Sequence, residues 1–376
     1  MRTLKQFVKN EIVLCVAFIL ATISCFIIVP SKSYLEYIDF RTLSILFSLM
    51  ITMAGFQKLS VFRQIGEALV NRTKTLRGLV IILVLLSFFS SMFITNDVAL
   101  LTFVPFSIIT LSIANKKDKY IIVIVLETLA ANLGSMLTPL GNPQNLYLYS
   151  LSNMGLWSFV NLMLPYSLCS LILLLISVEF FIGKEEGKLT KTQVNIYQRS
   201  KKDKLLIAIY VILFLVSILV VSRALPYYIG LIIVITAVIL FDNRVLRKPD
   251  YSLLFTFIFL FIFIGNIKRI PVLSDFLSEI IKVNEVGVSI LLSQFISNVP
   301  AAILCSGFTK DIVKLIVGTN LGGLGTLIAS MASLISFKQY SYIDGADTKR
   351  YILVFTALNI IYLASLYILH VIFLGN

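Results

Sequence analysis

The sequence holds a single histidine, His370, and four cysteines, Cys15, Cys25, Cys169 and Cys305, scattered through apolar stretches with no CxxC pair. The first leaves too few imidazoles for a histidine metal site. The second gives neither a disulfide framework nor a thiolate cluster. No GxxxxGK[ST] occurs, so the chain has no ATP-hydrolysing motif of its own. One aspartate, Asp97, lies at membrane depth, where an aspartic protease would need two. Ser297 has no histidine base to activate it, because His370 sits in the last apolar block. Charge is scarce as well. Only 14% of the 376 residues are charged against 58% apolar, with a mean hydropathy of +0.95. That balance excludes a soluble globular domain.

What is abundant is long apolar sequence. A helix needs ~20 residues to cross a bilayer, and the blocks at 11–30, 42–56, 119–149, 156–182, 204–222, 226–241, 251–267, 312–337 and 351–373 read as nine crossings. Two further blocks, 79–113 and 287–308, read as helical hairpins. The expected fold is therefore an all-α polytopic membrane protein. The N-terminal segment, with Arg2, Lys5 and Lys9, resembles a signal-peptide start. No small-residue cleavage site follows it, and it reads as a retained first helix. Segments 57–77 and 268–285 mix apolar and charged residues ahead of each hairpin and read as helices lying at the membrane interface.

The formal charge of +13 reads as topology and not as a nucleic-acid surface. With the N-terminus in the cytoplasm and both hairpins returning to the side they entered, the cytoplasmic segments are 1–10, 57–78, 115–119, 183–204, 242–250 and 338–350. They hold 24 of the 32 Lys and Arg residues, and the outside holds 8. A first hairpin that crossed fully would break this bias, so basic-inside topology supports a re-entrant hairpin. The same layout inverts the two halves and puts the C-terminus outside. It divides the chain into a first repeat over 1–182, a basic linker with a connecting helix over 183–225, and a second repeat over 226–376.

Two pairs of irregular motifs carry the chemistry. Asn132-Leu133-Gly134-Ser135-Met136-Leu137-Thr138 recurs, 188 residues on, as Asn320-Leu321-Gly322-Gly323-Leu324-Gly325-Thr326. Ile94-Thr95-Asn96-Asp97 is matched by Ile296-Ser297-Asn298-Val299. Irregular backbone at membrane depth is tolerated only where it lines a cavity or is buried in protein. Paired breaks in two related halves mark a secondary transporter. Thr95, Asn96 and Asp97 offer a hydroxyl, a carbonyl and a carboxylate, the hard oxygens that a cation such as sodium requires, while helix N-termini facing a break favour an anion. The plainer readings are that Asn96 and Thr95 cap the second arm, and that the glycines serve close helix packing. Asp97 in a bilayer must be protonated, paired or cation-bound. Glu127, one to two turns before the first break, is a candidate relay acid or an interfacial residue.

These motifs resemble the ion transporter superfamily, which includes divalent-anion:sodium symporters, citrate permeases, arsenite permeases and a group of sodium/proton antiporters. The resemblance runs through Thr95–Pro105, Asn132–Asn145, Ser297–Ala302 and Gly318–Ser333. It implies two inverted repeats, each with a re-entrant hairpin and a discontinuous helix, a homodimer, and elevator-like movement of a transport domain. In its dicarboxylate members Ser-Asn-Thr at each hairpin tip serves sodium and substrate. Here the asparagine matches in both halves, but the last position is Asp97 in one and Val299 in the other. An acid after the asparagine is similar to the arsenite-permease branch, which implies proton coupling. The cation sites so implied are Thr95, Asn96, Asp97 and Gly134 in one half and Ser297, Asn298, Asn320 and Gly322 in the other. Thr138, Pro139, Asn142 and Thr326 would lie beside the substrate, with Asp97 and Glu127 as the candidate proton relay. The expected activity is sodium- or proton-coupled secondary transport of a small anion or oxyanion across the plasma membrane, with no cofactor beyond the coupling ion. Sodium/proton antiport and arsenite-type metalloid efflux stay open beside it.

Overall fold

A computed structural model describes residues 11–70, 73–183 and 200–374. Most of the basic segment 183–204 and the N-terminal residues 1–10 lie outside them. The described chain is helical throughout. It runs α1 (Ile12–Ile27), α2 (Tyr34–Tyr37), α3 (Phe40–Lys58), α4 (Val61–Val70), α5 (Leu76–Ile94), α6 (Asn96–Ile113), α7 (Tyr120–Ser135), α8 (Pro143–Leu151) and α9 (Leu156–Ile182). It continues with α10 (Lys201–Val221), α11 (Tyr227–Asp242), α12 (Tyr251–Lys268), α13 (Pro271–Val283), α14 (Glu285–Ile296), α15 (Asn298–Ser306), α16 (Ile312–Gly322), α17 (Met331–Ser341) and α18 (Thr348–Leu369).

Eight helices among the described residues are long and apolar enough to cross a membrane. The arms of the first hairpin, α5 and α6, are two of them. Their lengths alone do not distinguish a re-entrant hairpin from two crossings. The arms of the second hairpin, α14 and α15, have 12 and 9 residues. At 1.5 Å per residue they span ~18 and ~14 Å, well short of a ~30 Å hydrocarbon core. The stretches 119–149 and 312–337 are both interrupted. Residues 136–142 separate α7 from α8, and residues 323–330 separate α16 from α17.

Packing divides the helices into two groups that meet at α3. Helix α3 lies against α10 and α11, which also pack on each other. Their contact is fixed by Asp242 at the end of α11. It accepts from Lys58 Nζ at 2.6 Å and from Tyr210 Oη at 3.0 Å. In the second group α5 packs on α7 and α14 on α16, so each first hairpin arm covers the first piece of a broken helix. The second pieces are exchanged. Helix α8 packs on α15 and α16, and α17 packs on α6 and α7. Each half thus completes the other.

Candidate transport site

Both hairpins turn through one residue of the same unusual conformation. Thr95 has φ 68°, ψ 149° and Ser297 has φ 71°, ψ 155°. Positive φ is strained for side chains other than glycine, and it is held here by identical anchors. The next residue's amide donates to a carbonyl in the break: Asn96 N to Gly141 O at 3.0 Å, and Asn298 N to Ala329 O at 3.0 Å. Threonines in the breaks reach back to the first arms. Thr138 Oγ1 donates to the Met92 carbonyl, and Thr326 Oγ1 to the Gln294 carbonyl at 3.1 Å. Glycines permit the approach. A methyl group on Gly134 would run into the Phe88 carbonyl and Ser91, and one on Gly322 would meet Ser293 and Ile290. Every partner pair maps onto the other when hairpin residues are shifted by 202 and break residues by 188.

The same shift relates the polar bonds that join the halves. Asn132 Nδ2 donates to Ser333 Oγ at 3.1 Å, and Ser330 Oγ donates to Asn132 Oδ1 at 3.1 Å. Adding 188 to 132, 142 and 145 gives 320, 330 and 333. Correspondingly, Asn320 Nδ2 donates to Asn145 Oδ1 at 2.5 Å, and Asn142 Nδ2 to Asn320 Oδ1 at 3.3 Å. All six residues are buried. A buried polar group left unpaired costs about 1–3 kcal/mol, so this exchange fixes the relative position of the two breaks.

The tips share one cavity of about 400 Å³. Thr95, Asp97 and Val98 line it from the first hairpin, Ser297, Val299 and Pro300 from the second, and Asn142 from the first break. Apolar side chains of α1, α3 and α17 form much of the remaining wall. Glu11, Gln57, Lys248, Asp250 and Lys338 also reach it. Asp97 Oδ1 is buried without a hydrogen-bond partner. Its backbone N–H is taken by Asn96 Oδ1 at 3.0 Å. A buried carboxylate oxygen without a protein partner, on a residue that lines a cavity, can take a proton or a cation.

Over residues 8–311 the sequence matches the model of a family described as citrate transporter. The chain belongs to the citrate transporter family. This family member is 34% identical over 312 residues to a protein of Methanocaldococcus jannaschii named an uncharacterised transporter, covering 83% of this chain and 84% of that one. It is 32% identical over 323 residues to an inner membrane protein of Escherichia coli, covering 84% of both. A silicon efflux transporter of Oryza sativa subsp. japonica is 29% identical over 134 residues, 36% of this chain and 27% of that protein. These names point to a transporter and not to an enzyme.

Within this family member the expected site residues divide by position. Thr95, Asp97, Ser297 and Asn142 line the cavity. Asn96 and Asn298 sit just behind it, buried at the tips. Gly134 and Gly322 lie in the last turns of α7 and α16, pressed against the hairpin arms, and Asn320 belongs to the exchange between halves. Thr138 and Thr326 direct their hydroxyls to hairpin carbonyls, and Pro139 is buried in the break. None of these three is in the cavity wall. Glu127 is not in the cavity wall. It is fully buried in α7, with Oε1 accepting from Ser107 at 2.7 Å and Oε2 unpartnered.

Glu179 pairs with Arg77 at 2.6 Å, joining α9 to the start of α5. Sequence reasoning passed over Asn132, Asn145, Ser330, Ser333 and Gln294. Extending the 188-residue offset past Thr138 would have found the two serines opposite Asn142 and Asn145.

Proposed function

We propose that this chain is a cation-coupled secondary transporter of a small, oxygen-rich solute, an anion or oxyanion, working by alternating access in the plasma membrane. The observation that carries the reading is the shared cavity, walled by both hairpin tips and holding the unpaired carboxylate oxygen of Asp97. Asp97 would bear the coupling ion, sodium or proton, with Glu127 as a second carrier. The matched tips and exchanged helices support two inverted repeats with re-entrant hairpins. The hairpins and broken helices would form the moving body of an elevator, with α3, α10 and α11 as its scaffold and as the seat of a homodimer. Four residues that line the cavity, Gln57, Lys248, Asp250 and Lys338, belong to the segments rich in Lys and Arg. This supports a cavity open to the cytoplasm, with the N-terminus on that side and the C-terminus outside.

One observation favours a second reading, sodium/proton antiport or efflux of an uncharged metalloid hydroxide such as arsenous acid. The helix N-termini that would hold an anion are largely occupied. Asn96 N and Asn298 N donate to carbonyls of the breaks, Asp97 N donates to Asn96 Oδ1, and Pro300 has no N–H. Purified protein in proteoliposomes, screened with arsenite, phosphate, sulfate and di- and tricarboxylates under sodium or pH gradients, separates these readings. Solute-dependent flux that needs a gradient and is lost in Asp97→Asn is expected. Ion exchange with no solute requirement would instead establish antiport, and single-channel currents would end the transporter reading altogether.

A further inference from the structure

Asp97 is held from the far half of the chain. Asn132 Oδ1 accepts from both Ser330 Oγ and Asn96 Nδ2, the latter at 3.0 Å, while Asn132 Nδ2 donates to Ser333. These partners select one orientation of the Asn132 carboxamide, because a flip would set its NH₂ against that of Asn96. With Asn96 Nδ2 engaged, Asn96 Oδ1 is left to accept the Asp97 amide. That bond sets the first turn of α6, from which the Asp97 carboxylate enters the cavity wall.

The second half supplies an internal control. Asn320 is the equivalent of Asn132 and makes the equivalent bonds to Asn142 and Asn145. Yet no hydrogen bond joins it to Asn298 among the described residues. Its Nδ2 donates in addition to the Ile316 carbonyl at 2.8 Å. The residue after Asn298 is Val299, which has no charge to orient. The relay runs to the tip only in the half that carries an acid.

We infer that Ser330 and Ser333 are positioning residues for Asp97, acting through Asn132 and Asn96, so that the second break sets the ion affinity of the first tip. Neither serine lines the cavity, so the effect does not pass through contact with the solute. The inference rests on the proposed reading of Asp97 as the coupling-ion acid. The other charged groups facing Asp97 across the cavity are Glu11 before α1, Lys248 and Asp250 before α12, and Lys338 on α17. The substitutions below change none of them.

The test uses the full chain in proteoliposomes holding a pH-sensitive dye, with radioactive sodium outside. The midpoints of ion flux against pH and against sodium are read beside the melting temperature. Ser333→Ala and Ser330→Ala should each move the midpoint of the coupling ion by roughly fivefold, the size of one lost hydrogen bond, and Ser333→Thr should restore it. Ser336→Ala is the control. Ser336 lies one turn along the same helix, buried and bonded to Thr128 and Tyr351, but outside the relay. It should lose comparable stability and keep the wild-type midpoint. If Asp97→Asn abolishes ion dependence while the well-folded serine variants keep the wild-type midpoint, the relay is wrong and the transport reading survives. If Asp97→Asn keeps wild-type ion dependence, Asp97 is not the coupling acid and both ideas fall.

Discussion

Asp97 and Glu127 each hold a buried carboxyl oxygen without a hydrogen-bond partner, and their surroundings assign them different work. Asp97 faces a cavity; Glu127 faces only protein. No salt bridge pairs either with a base among the described residues. An ionised Glu127 would be an uncompensated buried charge, which costs several kcal/mol. Its Ser107 partner can donate to an amide oxygen as well as to a carboxyl. Glu127→Gln should therefore hold or raise the melting temperature and leave solute binding unchanged, since residue 127 touches no cavity wall. If Glu127 carries a proton, the same variant flattens the pH dependence of flux. An unaltered pH profile would restrict the role of Glu127 to packing. Asp97 was legible from one line of sequence, because an acid beside a helix break has few explanations in a bilayer. Asn132 was not, although it stood in the quoted motif. A buried amide announces its importance only through its partners, and those lie 198 and 201 residues away.

Among the elements, the breaks were easy to read and their mechanics were not. Glycine, proline and asparagine mark residues 134–145 and 318–326 as irregular, and the chain does leave the helix at 136–142 and 323–330. The glycines nonetheless divide into two kinds. Gly325 has φ +114° and lies against Gln294, whose amide accepts from Thr326 N and donates to the Leu324 carbonyl. Gly134 is helical and close-packed, with the Phe88 carbonyl where its β-carbon would be. Composition alone does not separate a glycine that turns the chain from one that admits a neighbour. Gly134→Ala pushes the α5 backbone away from α7 and should cost about 1–3 kcal/mol by overpacking, read as a lowered melting temperature in detergent. Since α5 ends at the Thr95 tip, the shift should also reduce ion affinity. A variant as stable as wild type would mean that the two helices yield freely.

At the scale of the molecule, the proposed sidedness rests on the charge pattern, and the cavity is tied to it through Lys248 and Lys338 in its wall. The basic bias was read without any coordinates, whereas the cavity wall was assembled from residues as far apart as Glu11 and Lys338. No window of sequence could have revealed it. Val299 lies on the cavity wall at the second tip, and Met50 and Met53 of α3 line the same space. If the hairpins move against α3, the exposure of Val299 must change with the transport cycle. With Cys15, Cys25, Cys169 and Cys305 replaced by serine or alanine, Val299→Cys should react with a membrane-impermeant maleimide added from the cytoplasmic side. Added from outside, the reagent should leave it untouched in the state described here. Saturating coupling ion and solute should slow the reaction several-fold, as the tip closes over its load. Labelling from the outside alone would reverse the membrane orientation. Rates indifferent to ion and solute would show that the tips are fixed walls, and a mechanism of hairpins moving past a scaffold would have to be given up.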